Sequence, residues 1–190
     1  YSGEKLEPEG YTSYDLALDN RDALAGDIYK NAENYYKSVF EHAGGSISFY
    51  PDKNGAAPTA ELYHRETRSI SVQDVKEFCK KHGITENVFF ISAFGITLGK
   101  YNFKKDAVFT TIYHGRNDSR LSETVGMLVK TLPVFCDFSG TAKDCLSGVQ
   151  KQLIDSMNND IYPFSQISHE FDIKADRLLL CIFPTNGVKS

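Results

Sequence analysis

The sequence predicts an α/β fold built as a layered α/β sandwich. Two observations carry this. Segments with apolar residues every three to four positions alternate with short β-branched and aromatic runs. Capping signals and glycines punctuate the boundaries between them. With 41% hydrophobic residues, 24% charged residues and a net charge of −4, the 190-residue chain has the composition of a folded domain or lobe. That composition excludes a disordered tail, and the mild acidity argues against binding a phosphate backbone.

Asp27 to Ala43 reads as a helix through Ile28, Ala32, Tyr35, Tyr36, Val39 and Phe40, stopped by Gly44-Gly45. Pro51 to Ala60 reads as a loop, and Glu61 to Ile70 as a strand with Leu62 facing inward. Ser71 and Asp74 open the next helix, which carries Val72, Val75, Phe78 and Cys79 on one face and closes at Gly83. Its basic residues Lys76, Lys80 and Lys81 alternate with Asp74 and Glu77, as on a solvated face.

Thr85 caps a helix from Glu86 to Tyr101 that is apolar over most of its circumference and should be buried. Ala107 to Tyr113 reads as a strand. Leu128 to Phe138 is another, and Pro133 points to an edge or a bulge. Thr141 and Asp144 cap a long helix through Cys145, Leu146, Val149, Leu153 and Met157. Pro163 starts a short helix through Phe164, Ile167 and Phe171. Leu178 to Phe183 is a last strand, apolar on both faces and therefore expected in the middle of the sheet.

Several chemistries lack their residues. Gly95 and Gly99-Lys100 are separated by three residues rather than four, and Tyr101 follows where a phosphate loop needs Ser or Thr. There is no nucleophile elbow and no paired-histidine zinc helix. The five histidines are scattered, and only His114, in His114-Gly115-Arg116, stands at a strand end where α/β sites collect. Cys79, Cys136, Cys145 and Cys181 form no closely spaced pair and read as buried free thiols of a reducing compartment. With no long apolar run and no leader at Tyr1-Ser2-Gly3, the reading is cytoplasmic, with no membrane and no nucleic acid as partners. The opening without Met further suggests that the natural protein is longer.

The order of several segments is more informative than any one. Tyr11-Thr12-Ser13-Tyr14-Asp15-Leu16-Ala17 is similar to the YxDYA motif of nonribosomal peptide synthetase condensation domains. Tyr35-Tyr36 stands where those domains carry a Tyr-Trp pair. Asn87 to Gly115-Arg116 resembles the family's apolar helix, turn and strand ending in Gly-Arg. Val125-Gly126-Met127-Leu128-Val129-Lys130-Thr131-Leu132-Pro133 resembles its VGxFVNTLP segment. Asn159-Asp160-Ile161-Tyr162-Pro163-Phe164 resembles HQDYPFE, and Asp172 to Leu178 is similar to RDxSRNPL.

This resemblance implies one lobe of a fold like chloramphenicol acetyltransferase, with residues 1–26 as the crossover segment and 27–190 as the second lobe, truncated before its final strand and helix. It implies a parent domain that joins carrier-tethered acyl and aminoacyl thioesters by amide bond formation. The family's HHxxxDG motif has no counterpart here, so no catalytic residue is assigned and the chain alone is expected to be inactive. The implied partners are the first lobe, peptidyl or acyl carrier proteins and an adenylation domain. No cofactor or metal is expected on the chain itself; the phosphopantetheine arms of carriers would bring the substrates.

Candidate substrate-contacting residues are Tyr14, His114, Arg116, Gly126, Lys130 and Thr131. Tyr14 packs at a lobe junction or reaches substrate. Arg116 organises packing or lines the tunnel. Gly126 permits a close turn. Lys130 and Thr131 line the tunnel, where Lys130 attracts a carrier phosphate, or Lys130 faces solvent. Lys130 replaces the family's Asn, Ser165 its Glu, and Asp160-Ile161 departs from Gln-Asp. These departures leave open whether the parent forms amides or esters, epimerises, cyclises or is degenerate. A free-standing coenzyme A-dependent acyltransferase and a non-catalytic carrier-binding module are the alternatives.

Overall fold

The computed structural model describes residues 3, 8–41, 43, 47–49, 66, 68–173 and 179–180, and everything below concerns these. The helices are α1 (Ser13–Leu24), α2 (Asp27–Phe40), α3 (Val72–His82), α4 (Glu86–Tyr101), α5 (Ala142–Asn158) and α6 (Phe164–Phe171). The strands are β1 (Asp106–Tyr113), β2 (Lys130–Asp137) and β3 (Leu179–Leu180). The sheet order is β2-β1-β3, with β1 antiparallel to β2 and parallel to β3.

Strand β1 explains the layering. Its side chains alternate between faces, and nearly all of them are buried. Ala107 and Phe109 join a core with Val88, Ile91 and Leu98 of α4 and Val149 and Leu153 of α5. Val108 joins a second core with Ala32, Tyr36 and Phe40 of α2 and Ile167 of α6. Helices therefore cover both faces, which gives the predicted sandwich.

Helix α4 lies close on the sheet because of its glycines. A Cβ on Gly95 would meet Cys136 Sγ at 2.7 Å, and one on Gly99 would meet Phe138 at 2.4 Å and the Asp106 carbonyl at 2.7 Å. The Gly95–Gly99 spacing thus serves packing. The helix ends in a paired turn in which Phe103 N–H donates to the Lys100 carbonyl and Lys104 N–H to the Gly99 carbonyl. Phe103 takes the left-handed position of that turn (φ 56°).

Several expectations change. Residues 13–24 form a helix that the sequence reading did not resolve, because α1 buries no side chain and so carries no apolar stripe. Its capping box, Thr12 with Asp15, was the available signal. Strand β2 starts at Lys130 rather than Leu128, since Lys130 pairs with Tyr113, where β1 ends. Among the described residues β1 holds the middle of the sheet, while β3 flanks it and pairs Leu179 with Thr110. Most of the strand expected over 61–70 lies outside the described residues, as do His42 and His64; Glu66 and Arg68 to Ile70 are not in a strand. Among the described residues Pro133 does lie on an edge strand, opposite Thr110.

Candidate functional site

Strand β2 begins at the mouth of a cleft of about 430 Å³. Lys130, Thr131 and Leu132 supply one side, Asn20 and Leu24 of α1 another, and residues 160–164 the third. Thr12 and the Arg120 side chain hold α1 in place for this. Thr12 caps the helix through Asp15. Arg120 pairs with Asp19 at 3.0 Å and Asp118 at 2.6 Å and lies 4.4 Å above the Tyr11 ring.

Lys130 is not a free cation. Its ammonium lies 3.0 Å from Asp160 Oδ1 and donates to the Asp160 carbonyl at 3.1 Å. Two of the departures from the resembled motifs, at 130 and 160, therefore meet in space. A phosphate approaching Lys130 would compete with a carboxylate already in contact. Next to it, the buried Tyr162 hydroxyl donates to Glu170 at 3.1 Å. Burial, reinforced by that hydrogen bond, pushes the Tyr162 phenol up to about 12. Tyr162 is thus a neutral wall of the cleft, stacked 5.9 Å from Tyr36.

The other expected residues stand outside the cleft lining. Tyr14 is on α1 and 70% exposed. His114 is exposed just after β1, and its Nδ1 accepts from the Arg116 backbone N–H at 2.9 Å. The Arg116 guanidinium donates to the carbonyls of Leu121 and Thr124 (3.0 Å for Thr124), so it ties down the 119–124 turn. Gly115 between them sits at φ 71°, and a Cβ there would come within 1.8 Å of the Leu128 carbonyl. Gly126 lies beside Ser13, the neighbour of Tyr14 (3.4 Å from its built Cβ to Ser13 Cβ).

The segment around Gly126 is apolar and open. Val125, Met127 and Val129 are exposed, Met127 to 89%, while Leu128 is buried. The Thr124 hydroxyl donates to the Tyr11 carbonyl at 2.6 Å and joins this lip to the start of α1. Sequence reasoning missed Asn20 and Leu24, since it lacked α1. It also missed Asp160 as a partner of Lys130, although the 159–164 motif had singled that residue out.

Among the described residues the cleft lining contains no histidine and no cysteine. Among the described residues no group of three His, Cys, Asp or Glu could hold a metal ion. No described helix is long and apolar enough to cross a membrane.

Sandwich and cleft together define a layered α/β protein with a cleft at the start of β2. The profile of the family described as "Condensation domain" matches residues 1–185, and the chain belongs to that family. It is 30% identical over 135 residues to the nonribosomal peptide synthetase sidC of Arthroderma benhamiae, covering 70% of this chain and 3% of that protein. It is 28% identical over 189 residues to surfactin synthase subunit 1 of Bacillus subtilis, covering 93% of this chain and 5% of that one. The first condensation domain of the calcium-dependent antibiotic synthetase, solved with a substrate analogue, superposes with a TM-score of 0.70 at 13% identity. That match covers 98% of this chain and 42% of the other. The SgcC5 protein of Streptomyces globisporus gives 0.69 at 19% identity, covering 89% and 39%. The chain thus spans only a small part of its curated relatives and about two-fifths of these structures.

Proposed function

We propose that this chain supplies one wall of the substrate tunnel in a domain that joins a carrier-tethered acyl thioester to an amine on a second carrier. In this reading residues 1–26 form the crossover and 27–190 the second lobe, and a first lobe brings the paired histidines. Phosphopantetheine arms deliver both substrates, and an adenylation domain is a neighbour in the same synthetase.

One observation carries the division of labour. Among the described residues the cleft wall has no group free to move a proton: no imidazole lines it, Asp160 is occupied by Lys130, and Tyr162 is held neutral. Acyl transfer to an amine needs a base or a polarising group near the tetrahedral centre. This wall is equipped for the other contribution, which is holding reactants in register. The open lip of Val125, Met127 and Val129 supports the same reading, since exposed apolar side chains clustered in one segment mark a contact surface.

The test joins the chain to a first lobe bearing the His-His motif and supplies two loaded carriers. Amide product from the joined protein and none from the chain alone is the expected result. Product from the chain alone, or none from any joined form, overturns the reading.

A further inference from the structure

Two thiols that the cleft does not use face each other in the core. Cys136 of β2 and Cys145 of α5 lie with their sulfurs 3.4 Å apart, at 0% and 2% exposure. We propose that Cys136 and Cys145 are a reversible dithiol–disulfide site, oxidised by a peroxide, that ties the edge strand β2 to α5.

Geometry favours this pair. The sulfurs are already in contact, so bond formation needs only about 1.4 Å of closure to a normal S–S length. Gly95 packs against Cys136, 2.7 Å from its built Cβ to the sulfur, so a side chain there would displace the thiol. Cys145 is the fourth residue of α5, near a helix N-terminus that favours a thiolate. The sulfur–sulfur contact, in which either thiol can donate, lowers the Cys145 thiol and raises that of Cys136, whose sulfur also lies 4.0 Å from the Ser92 carbonyl. Cys145 is therefore the attacking sulfur and Cys136 the resolving one. Access comes through the start of α5, where residues 139–144 are all exposed and opening of one turn uncovers Cys145.

The reaction balances in two steps. Cys145 thiolate attacks a peroxide oxygen; the S–O bond forms, the O–O bond breaks and hydroxide leaves. Cys136 sulfur then attacks the Cys145 sulfenic acid; the S–S bond forms, the S–O bond breaks and water leaves. The two thiols lose two electrons in all, and hydrogen peroxide becomes two waters. A dithiol reductant reverses the change by thiol exchange. Strand β2 also carries Lys130 and Thr131, so the cross-link would stiffen the strand that opens the cleft.

The test treats the folded chain with hydrogen peroxide and digests it with trypsin without reduction. The expected product is peptide 131–143 linked to peptide 144–151, two hydrogens lighter than their sum and separated again by dithiothreitol. The linked peptide should survive in Cys79→Ser and disappear in Cys145→Ser. Sulfinic acid on either cysteine in place of the link overturns the proposal. So do two unmodified thiols after oxidation, or a link from Cys136 or Cys145 to another cysteine. The wild-type digest decides the matter even if Cys145→Ser does not fold.

Discussion

The side chain of Gln152 on α5 closes the outer edge of β2 by accepting the Phe135 backbone N–H at 3.0 Å. Its amide nitrogen also points at the Pro133 carbonyl, 3.5 Å away. Pro133 and Phe135 turn these groups away from β1, and Gln152 takes the place of a neighbouring strand. Tyr35 of α2 seals the same edge, donating to the Gln152 carbonyl at 3.0 Å and meeting Ser156 Oγ at 2.9 Å. The two helical layers of the sandwich therefore meet at this edge. Replacing Gln152 by Leu should cost about 1–3 kcal/mol, because a part-buried N–H loses the acceptor it has among the described residues. Chemical denaturation measures it, and a loss below half a unit of that scale would show that water replaces the amide.

Phe103 predicts a gain. It occupies the left-handed position where a helix end normally has glycine, and it is 98% exposed, so its ring contributes little packing. Phe103→Gly relieves strain of about 1–2 kcal/mol and returns part of it as chain entropy. A net stabilisation of about 0.5–1 kcal/mol should appear as a higher denaturant midpoint with an unchanged slope.

Gly115 predicts a loss at the mouth of the 114–129 loop. Its φ is 71°, and a methyl group would overlap the Leu128 carbonyl. Gly115→Ala should cost on the order of 3 kcal/mol or more, combining backbone strain with a clash against the Leu128 main chain. Thermal melting checks this; a melting temperature equal to that of the wild type would mean the loop repositions freely.

Tyr35 predicts the alkaline limb of stability. Burial pushes its phenol up to about 12 from the ordinary 10.0, so the folded state holds the proton more tightly than the unfolded chain. The stabilisation is fully present below pH 10 and falls as pH rises from there toward 12. Tyr35→Phe should remove part of this fall, because the ring remains and its titrating hydroxyl is gone, while Tyr113 and Tyr162, also pushed up to about 12, still titrate. Denaturation midpoints across that alkaline range read the difference.

Lys130 separates folding from positioning. The Lys130–Asp160 pair is partly exposed, so Lys130→Asn should change stability by less than about 1 kcal/mol. In the protein joined to a first lobe, the same change should alter turnover with carrier-bound substrates, because it frees Asp160 at the cleft mouth. Unchanged stability with unchanged turnover would remove Lys130 from the site.

The cleft lining was legible where local signals were strong. Thr131 and Lys130 stood in a recognisable segment, and 159–164 in another. That the two segments meet through Lys130 and Asp160 was not legible, since a contact thirty residues apart has no local signature. Helix α1 escaped for the opposite reason: it is held from outside by Arg120 and Thr124 rather than by a buried stripe, and apolar periodicity reports only burial. Arg116 was left between two roles, and its two carbonyl acceptors became visible only with the 119–124 turn in place.

Taken by itself, the sequence determined the layered α/β class, the helix Glu86–Tyr101, the strand after it and the family resemblance. Each rests on interactions between near neighbours along the chain or on motif order. Tertiary structure alone decided which groups face one another: Gln152 with the edge of β2, Lys130 with Asp160, Cys136 with Cys145. Those pairings depend on how layers stack, and stacking is fixed by the total apolar surface buried rather than by any residue's own preference.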